Sequence, residues 1–91
     1  MSGVNRVYEH AGREYHIQAE DLGVALACFE VRVYDGGSVL WRKRVPYKEV
    51  LDRNLPKLER EESLRSLMEK TLHTVQAAIS KGKLKIGRAH V

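Results

Sequence analysis

The sequence predicts an α+β domain: a four-stranded antiparallel meander followed by one long C-terminal helix packed on a single face, in the order β-β-β-β-α. Three observations lead there. Residues 4–20 and 25–45 each hold two runs of apolar and polar residues around a glycine-bearing centre, Ala11-Gly12-Arg13 and Asp35-Gly36-Gly37, the pattern of a hairpin. With a three-residue loop in each, the core-facing side chains of both hairpins fall on odd-numbered positions, so two independent turns agree on one buried face. From about Lys57 to Lys81 the apolar spacing changes to three and four, the period of a helix.

In the first hairpin, residues 4–9 and 14–20 are the strands, and the three-residue loop pairs Tyr8 with His16 and Val7 with Ile17. Val7, Tyr15, Ile17 and Ala19 then share the core face. Glu20-Asp21-Leu22-Gly23 turns the chain into the second hairpin, where Val33 pairs with Val39, Val31 with Trp41 and Phe29 with Lys43. Ala27, Phe29, Val31, Val33, Val39, Trp41 and Val45 line the core face, with Trp41 under the helix and Lys43 extending its ammonium from the rim to water. The opposite, outer face carries Cys28, Glu30, Arg32, Tyr34, Leu40, Arg42 and Arg44. Pro46 ends the fourth strand because it has no N–H for the ladder.

Residues 47–53 read as a short helical turn, and Asn54 as a cap for the long helix that follows Leu55-Pro56. Leu64, Leu67, Met68, Thr71, Leu72, Val75, Ala78 and Ile79 form its apolar stripe. Glu59, Glu61 and Glu62 at its start and Lys81 at its end complement the helix dipole, and Gly82 stops it. Roughly 25 helical residues span about 37 Å, enough to lie across the whole sheet and project beyond it. Residues 1–82 form a single domain, and 83–91 read as a basic, mobile tail.

Composition bounds the function. A chain of 91 residues makes one domain with a thin core, which favours self-association, and a homodimer is expected. At 43% hydrophobic and 31% charged residues it is globular rather than disordered. No apolar run reaches a membrane span, the N-terminus lacks the apolar core of a secretory signal, and the single cysteine has no internal disulfide partner, so a cytoplasmic location is expected. A net charge of +4 permits an anionic partner without requiring one.

The stretch YEHAGREYHIQAEDLG, residues 8–23, with the later Gly36-Gly37 turn and the C-terminal helix, resembles a group of short uncharacterised bacterial proteins with a histidine-glycine hairpin and a Tyr-His-x-Gln-x-Glu-Asp strand end. The likeness covers residues 7–80. It implies a bacterial source and an α+β domain, and carries no activity. In topology alone the chain is similar to the PC4-like and Whirly-like single-strand binders, which also place a helix after four strands.

The candidate sites each have a plainer alternative. His10 and His16, on the outer face with Tyr8 and Glu14 nearby, are two imidazoles short of a zinc ligand set, and no metal is expected. Cys28 with His16 lacks a third group to orient the imidazole, and Glu20-Asp21 reads as a strand end and turn before it reads as an acid–base pair. A glycine-rich phosphate loop, an HExxH helix and a serine elbow are all missing, so neither a cofactor nor an enzyme is expected. The outer face is more informative. Arg32, Arg42 and Arg44 gather there with Tyr8, Tyr34 and His16, a set suited either to protein contacts or to phosphates and stacked bases. Glu30, paired across the strands with Arg42, partly neutralises the patch. The expectation is therefore a non-enzymatic binding or adaptor domain acting through protein contacts. A single-stranded nucleic-acid binder using the outer face and the basic tail is the alternative.

Overall fold

The computed structural model describes residues 3–84; the predicted mobile segment falls mostly on residues 85–91, outside the described range. Four strands, β1 (Gly3–His10), β2 (Arg13–Asp21), β3 (Cys28–Asp35) and β4 (Ser38–Pro46), form one antiparallel sheet in the order β1-β2-β3-β4. A short helix α1 (Lys48–Asp52) and a long helix α2 (Lys57–Ser80) follow, so the predicted β-β-β-β-α architecture is the observed one. One sheet face packs on α2. Ile17, Ala19, Phe29, Val31 and Val33 from the sheet meet Leu64, Met68, Leu72, Val75 and Ile79 from the helix, all buried. Tyr47 and Val50 close the end of this core.

Both hairpin turns differ from expectation. The first has two residues, Ala11 and Gly12, and pairs His10 with Arg13, Tyr8 with Tyr15 and Val7 with His16. Both turn residues have positive φ, 53° and 78°, as a type I′ turn requires. That turn matches the right-handed twist of the strands, and its stability outweighs the strain of alanine in the left-handed region. Losing one loop residue turns β1 over relative to β2. Val7, expected in the core, is 54% exposed on the outer face, while Val4 is buried beneath the helix. Tyr8 and His10, expected outside, go with Val4 to the helix side, where Tyr8 hydrogen-bonds Ser80.

The second turn is also two residues, Gly36 and Gly37, both with positive φ. Tyr34 pairs with Val39, but Val33 pairs with Trp41, so Leu40 is an unpaired bulge. A shorter turn and an inserted residue cancel in parity. Phe29, Val31 and Val33 therefore share a face with Trp41, Lys43 and Val45, as expected. Val39, before the bulge, is the exception: it lies on the outer face and is 40% exposed.

Three smaller points also differ. β3 begins at Cys28, because Ala27 sits in the β2–β3 loop with φ of 53° and donates its N–H to the Gly23 carbonyl at 2.9 Å. Asn54, with φ of 52°, ends α1 rather than capping α2; its N–H reaches the Leu51 carbonyl, and Pro56 is the residue that starts α2. α2 does not lie across the whole sheet. It packs most closely on β1 and β2 and shares one core with the buried residues of β3, while on β4 Trp41 and Val45 are half-buried and Lys43 is exposed. At the far end, Gly82 stops the helix as expected. Its N–H bonds to the Ile79 carbonyl and that of Lys83 to the Ala78 carbonyl, which is a Schellman closure.

Candidate functional site

The outer sheet face is the candidate interaction surface, and the alternation of each strand decides what it presents. β1 contributes Asn5 and Val7, β2 His16, Gln18 and Glu20, β3 Glu30, Arg32 and Tyr34, and β4 Arg42 and Arg44. At the hairpin end, Asn5, Val7, His16, Gln18 and Tyr34 line a shallow hollow of about 500 Å³. The Tyr34 hydroxyl donates to Gln18 Oε1 at 3.3 Å.

Toward the other end the face is a chain of ion pairs. Arg32 reaches Glu20 at 3.1 Å and Glu30 at 3.5 Å, and Glu30 reaches Arg42 at 3.8 Å. Glu30 is 6% exposed although it stands on the uncovered side of the sheet. It lies diagonally from Arg42, since the bulge at Leu40 puts Arg44 directly opposite it. A carboxylate removed from water needs partners, and two guanidiniums supply them. Arg44 and Lys43 have no ion pair among the described residues.

Of the residues expected at this surface, Arg32, Tyr34, Arg42, Arg44 and His16 are together on the outer face, and Tyr8 is on the other side. The histidine pair is broken for the same reason. His10 stacks on Tyr8 on the helix side, with ring centroids 6.1 Å apart, while His16 faces outward. One metal ion in a single chain cannot reach both. Cys28 and His16 are also apart: His16 pairs with Tyr34, six residues along β3 from Cys28, or roughly 20 Å at 3.3 Å per residue. Glu20 and Asp21 point to opposite faces, Glu20 to Arg32 and Asp21 to Tyr47.

A second concavity was not anticipated. A hollow of about 140 Å³ lies between the β2–β3 loop and the two helices, lined by residues that include Asp21, Val24, Tyr47, Leu51 and Arg60. Buried Tyr47 donates its hydroxyl to Asp21 Oδ1 at 2.6 Å, and the same oxygen accepts the Gly23 N–H at 2.9 Å. Tyr47 follows Pro46 and precedes a single helical turn, so no periodicity marked it as core. Burial, with the Asp21 contact added, pushes the phenol well above its ordinary value. A raised folded-state pKa means that this stabilisation is complete below the ordinary tyrosine value near 10 and is lost as pH climbs above it. Wild-type stability should therefore fall by up to about 1.4 kcal/mol per pH unit in that range through this group. Tyr47→Phe should lose that share of the alkaline slope in urea melts. Equal slopes for the two chains would contradict the assignment.

No family model matches the chain, and no curated protein or solved structure matches it. Among the described residues, no helix is long and apolar enough to cross a membrane.

Proposed function

We propose that this protein is a small non-enzymatic binding domain that acts through protein–protein contacts, as a homodimer joined through its outer sheet faces. The observation that carries this reading is the interleaving of carboxylates with the arginines. Glu20 and Glu30 stand within 4 Å of Arg32, and Glu30 also reaches the exposed Arg42 at 3.8 Å, so a polyphosphate approaching the centre of this face meets a neutralised Arg32 and a buried negative charge, with the accessible cations confined to its β4 border. The same arrangement suits a protein partner, which matches charge with charge and covers the apolar and aromatic groups between. Val7, Val39 and Tyr34 are such groups. The alternative of single-stranded nucleic acid draws on the same arginines and is answered by the same experiment.

Light scattering should report twice the 10.4 kDa chain mass at micromolar concentration, and Val7→Asp should return it to one chain mass with an unchanged circular dichroism spectrum and a melting temperature that no longer depends on concentration. A mass of one chain across a hundredfold concentration range would remove the homodimer. A tight single-stranded oligonucleotide complex at physiological salt, weakened by Arg42→Ala with Arg44→Ala, would replace the protein-contact reading altogether.

A further inference from the structure

We infer that the free edge of β4 is a docking strand for an extended acidic peptide, which adds to the sheet as a fifth strand alongside residues 41–45. The inference deepens the protein-contact reading and rests on it for the class of partner. It concerns the β4 edge, which adjoins the outer face and shares Arg42 and Arg44 with it.

β4 is the last strand of an open sheet, and half of its N–H and C=O groups point away from β3. Among the described residues no turn or loop backbone group bonds to it. The usable length is bounded at both ends. The bulge at Leu40 breaks the register before Trp41, and Pro46 has no N–H to offer after Val45. The window is therefore Trp41-Arg42-Lys43-Arg44-Val45.

Its side chains specify the guest. Arg42 and Arg44 point to the outer face and Lys43 to the helix side, all three exposed, so the cations flank the edge on both faces. Arg42 has one distant ion pair and the other two have none among the described residues. Trp41 and Val45 are half-buried at the margin of the core on the helix side, because α2 packs most closely on β1 and β2. In an added strand, residues directly opposite one another share a face. Acidic residues then belong opposite Arg42, Lys43 and Arg44, and apolar ones opposite Trp41 and Val45. The matching motif is apolar-acid-acid-acid-apolar. It is symmetric, so it fits a parallel or an antiparallel guest. The same charges oppose pairing with the β4 edge of a second copy: a two-fold pairing centred on Lys43 sets Lys43 against Lys43 and Arg42 against Arg44.

The test uses the full chain and a fluorescent peptide, Ser-Val-Glu-Asp-Glu-Val-Ser, followed by anisotropy. Saturable micromolar binding is expected, weakened roughly tenfold or more by Lys43→Glu with Arg44→Gln, the glutamine keeping a second carboxylate away from Glu30 directly opposite. Neither residue has an ion pair to lose among the described residues, so the melting temperature should hold. Two further peptides carry N-methyl groups on alternate amides, one on each alternate set. An added strand bonds through one set, so one of these peptides should lose binding and the other keep it. Equal binding of both, or of a peptide of the same composition with the motif scrambled, would overturn the inference by showing attraction without strand pairing. A single-stranded oligonucleotide that binds residues 41–45 more tightly than the peptide would also overturn it. A dimer by light scattering that ignores the peptide would sink the edge and leave the outer-face reading intact.

Discussion

Leu72→Ala is expected to cost about 3–5 kcal/mol, the largest loss from any single substitution along α2. Leu72 has no exposed surface and belongs to the core between the helix and the sheet. Truncation removes the transfer free energy of its methyl-bearing branch and leaves a cavity that a rigid sheet cannot close. For a 91-residue domain, whose whole stability is on the order of 5–14 kcal/mol, that is a large share. Trp41→Ala provides the comparison. It removes more atoms, and a fully buried indole would cost about as much or more. Because α2 packs most closely on β1 and β2, the indole at the margin of the core is half-buried, and about 1–2 kcal/mol is expected from area alone. Urea unfolding of both chains decides the point. A greater loss at Trp41 than at Leu72 would place the helix over the wrong half of the sheet.

Glu30→Ala is expected to cost about 2–3 kcal/mol, the largest loss from any residue on the outer face. The carboxylate is buried and holds Arg32 at 3.5 Å and Arg42 at 3.8 Å. Without it, two guanidiniums face each other across neighbouring strands, since Arg32 pairs directly with Arg42. The loss stays below that of a fully buried pair because the Arg42 side chain is 65% exposed and can turn to water. The substitution also changes the charge of the face. It should raise the affinity for single-stranded oligonucleotides and steepen the salt dependence by about 0.7 for each arginine released. Loss of stability with unchanged oligonucleotide affinity would mean that Glu30 supports the fold without controlling what the face binds. A loss under about 0.5 kcal/mol would show that the ion pairs are surface pairs of little consequence.

The candidate surface was legible where side-chain parity survived errors in the turns. Arg32, Arg42, Arg44, Tyr34 and His16 were placed on one face from the sequence, and that face holds them. Tyr8 and His10 were assigned to the same face and lie on the opposite one, because their placement rested on the Ala11-Gly12-Arg13 loop being three residues long. A two-residue type I′ turn is ordinarily announced by Asn-Gly or Asp-Gly; here alanine fills the first position, so the signal was hidden. The asymmetry between the hairpins has a plain cause. In the second, a short turn and the bulge at Leu40 compensate each other. In the first nothing compensates, and the whole of β1 turns over.

By itself the sequence determined the elements: four strands, a helical turn after Pro46, and a long helix stopped at Gly82. Each of these is set by local chemistry, by the two-residue and 3.6-residue periods, by a proline without a donor and by a glycine with positive φ. It also determined that Glu30 stands among arginines, because residues near one another on adjacent strands pair in any register of the right parity. Only the tertiary structure decided which strands the helix covers. The apolar positions of β2, β3 and β4 look alike in sequence, and the choice depends on how α2 leaves the turn at residues 52–56 and packs on the twisted sheet. That choice buried Val4 and Met68, left Trp41 half-covered, and kept the basic edge of β4 open, which no periodicity in 91 residues records.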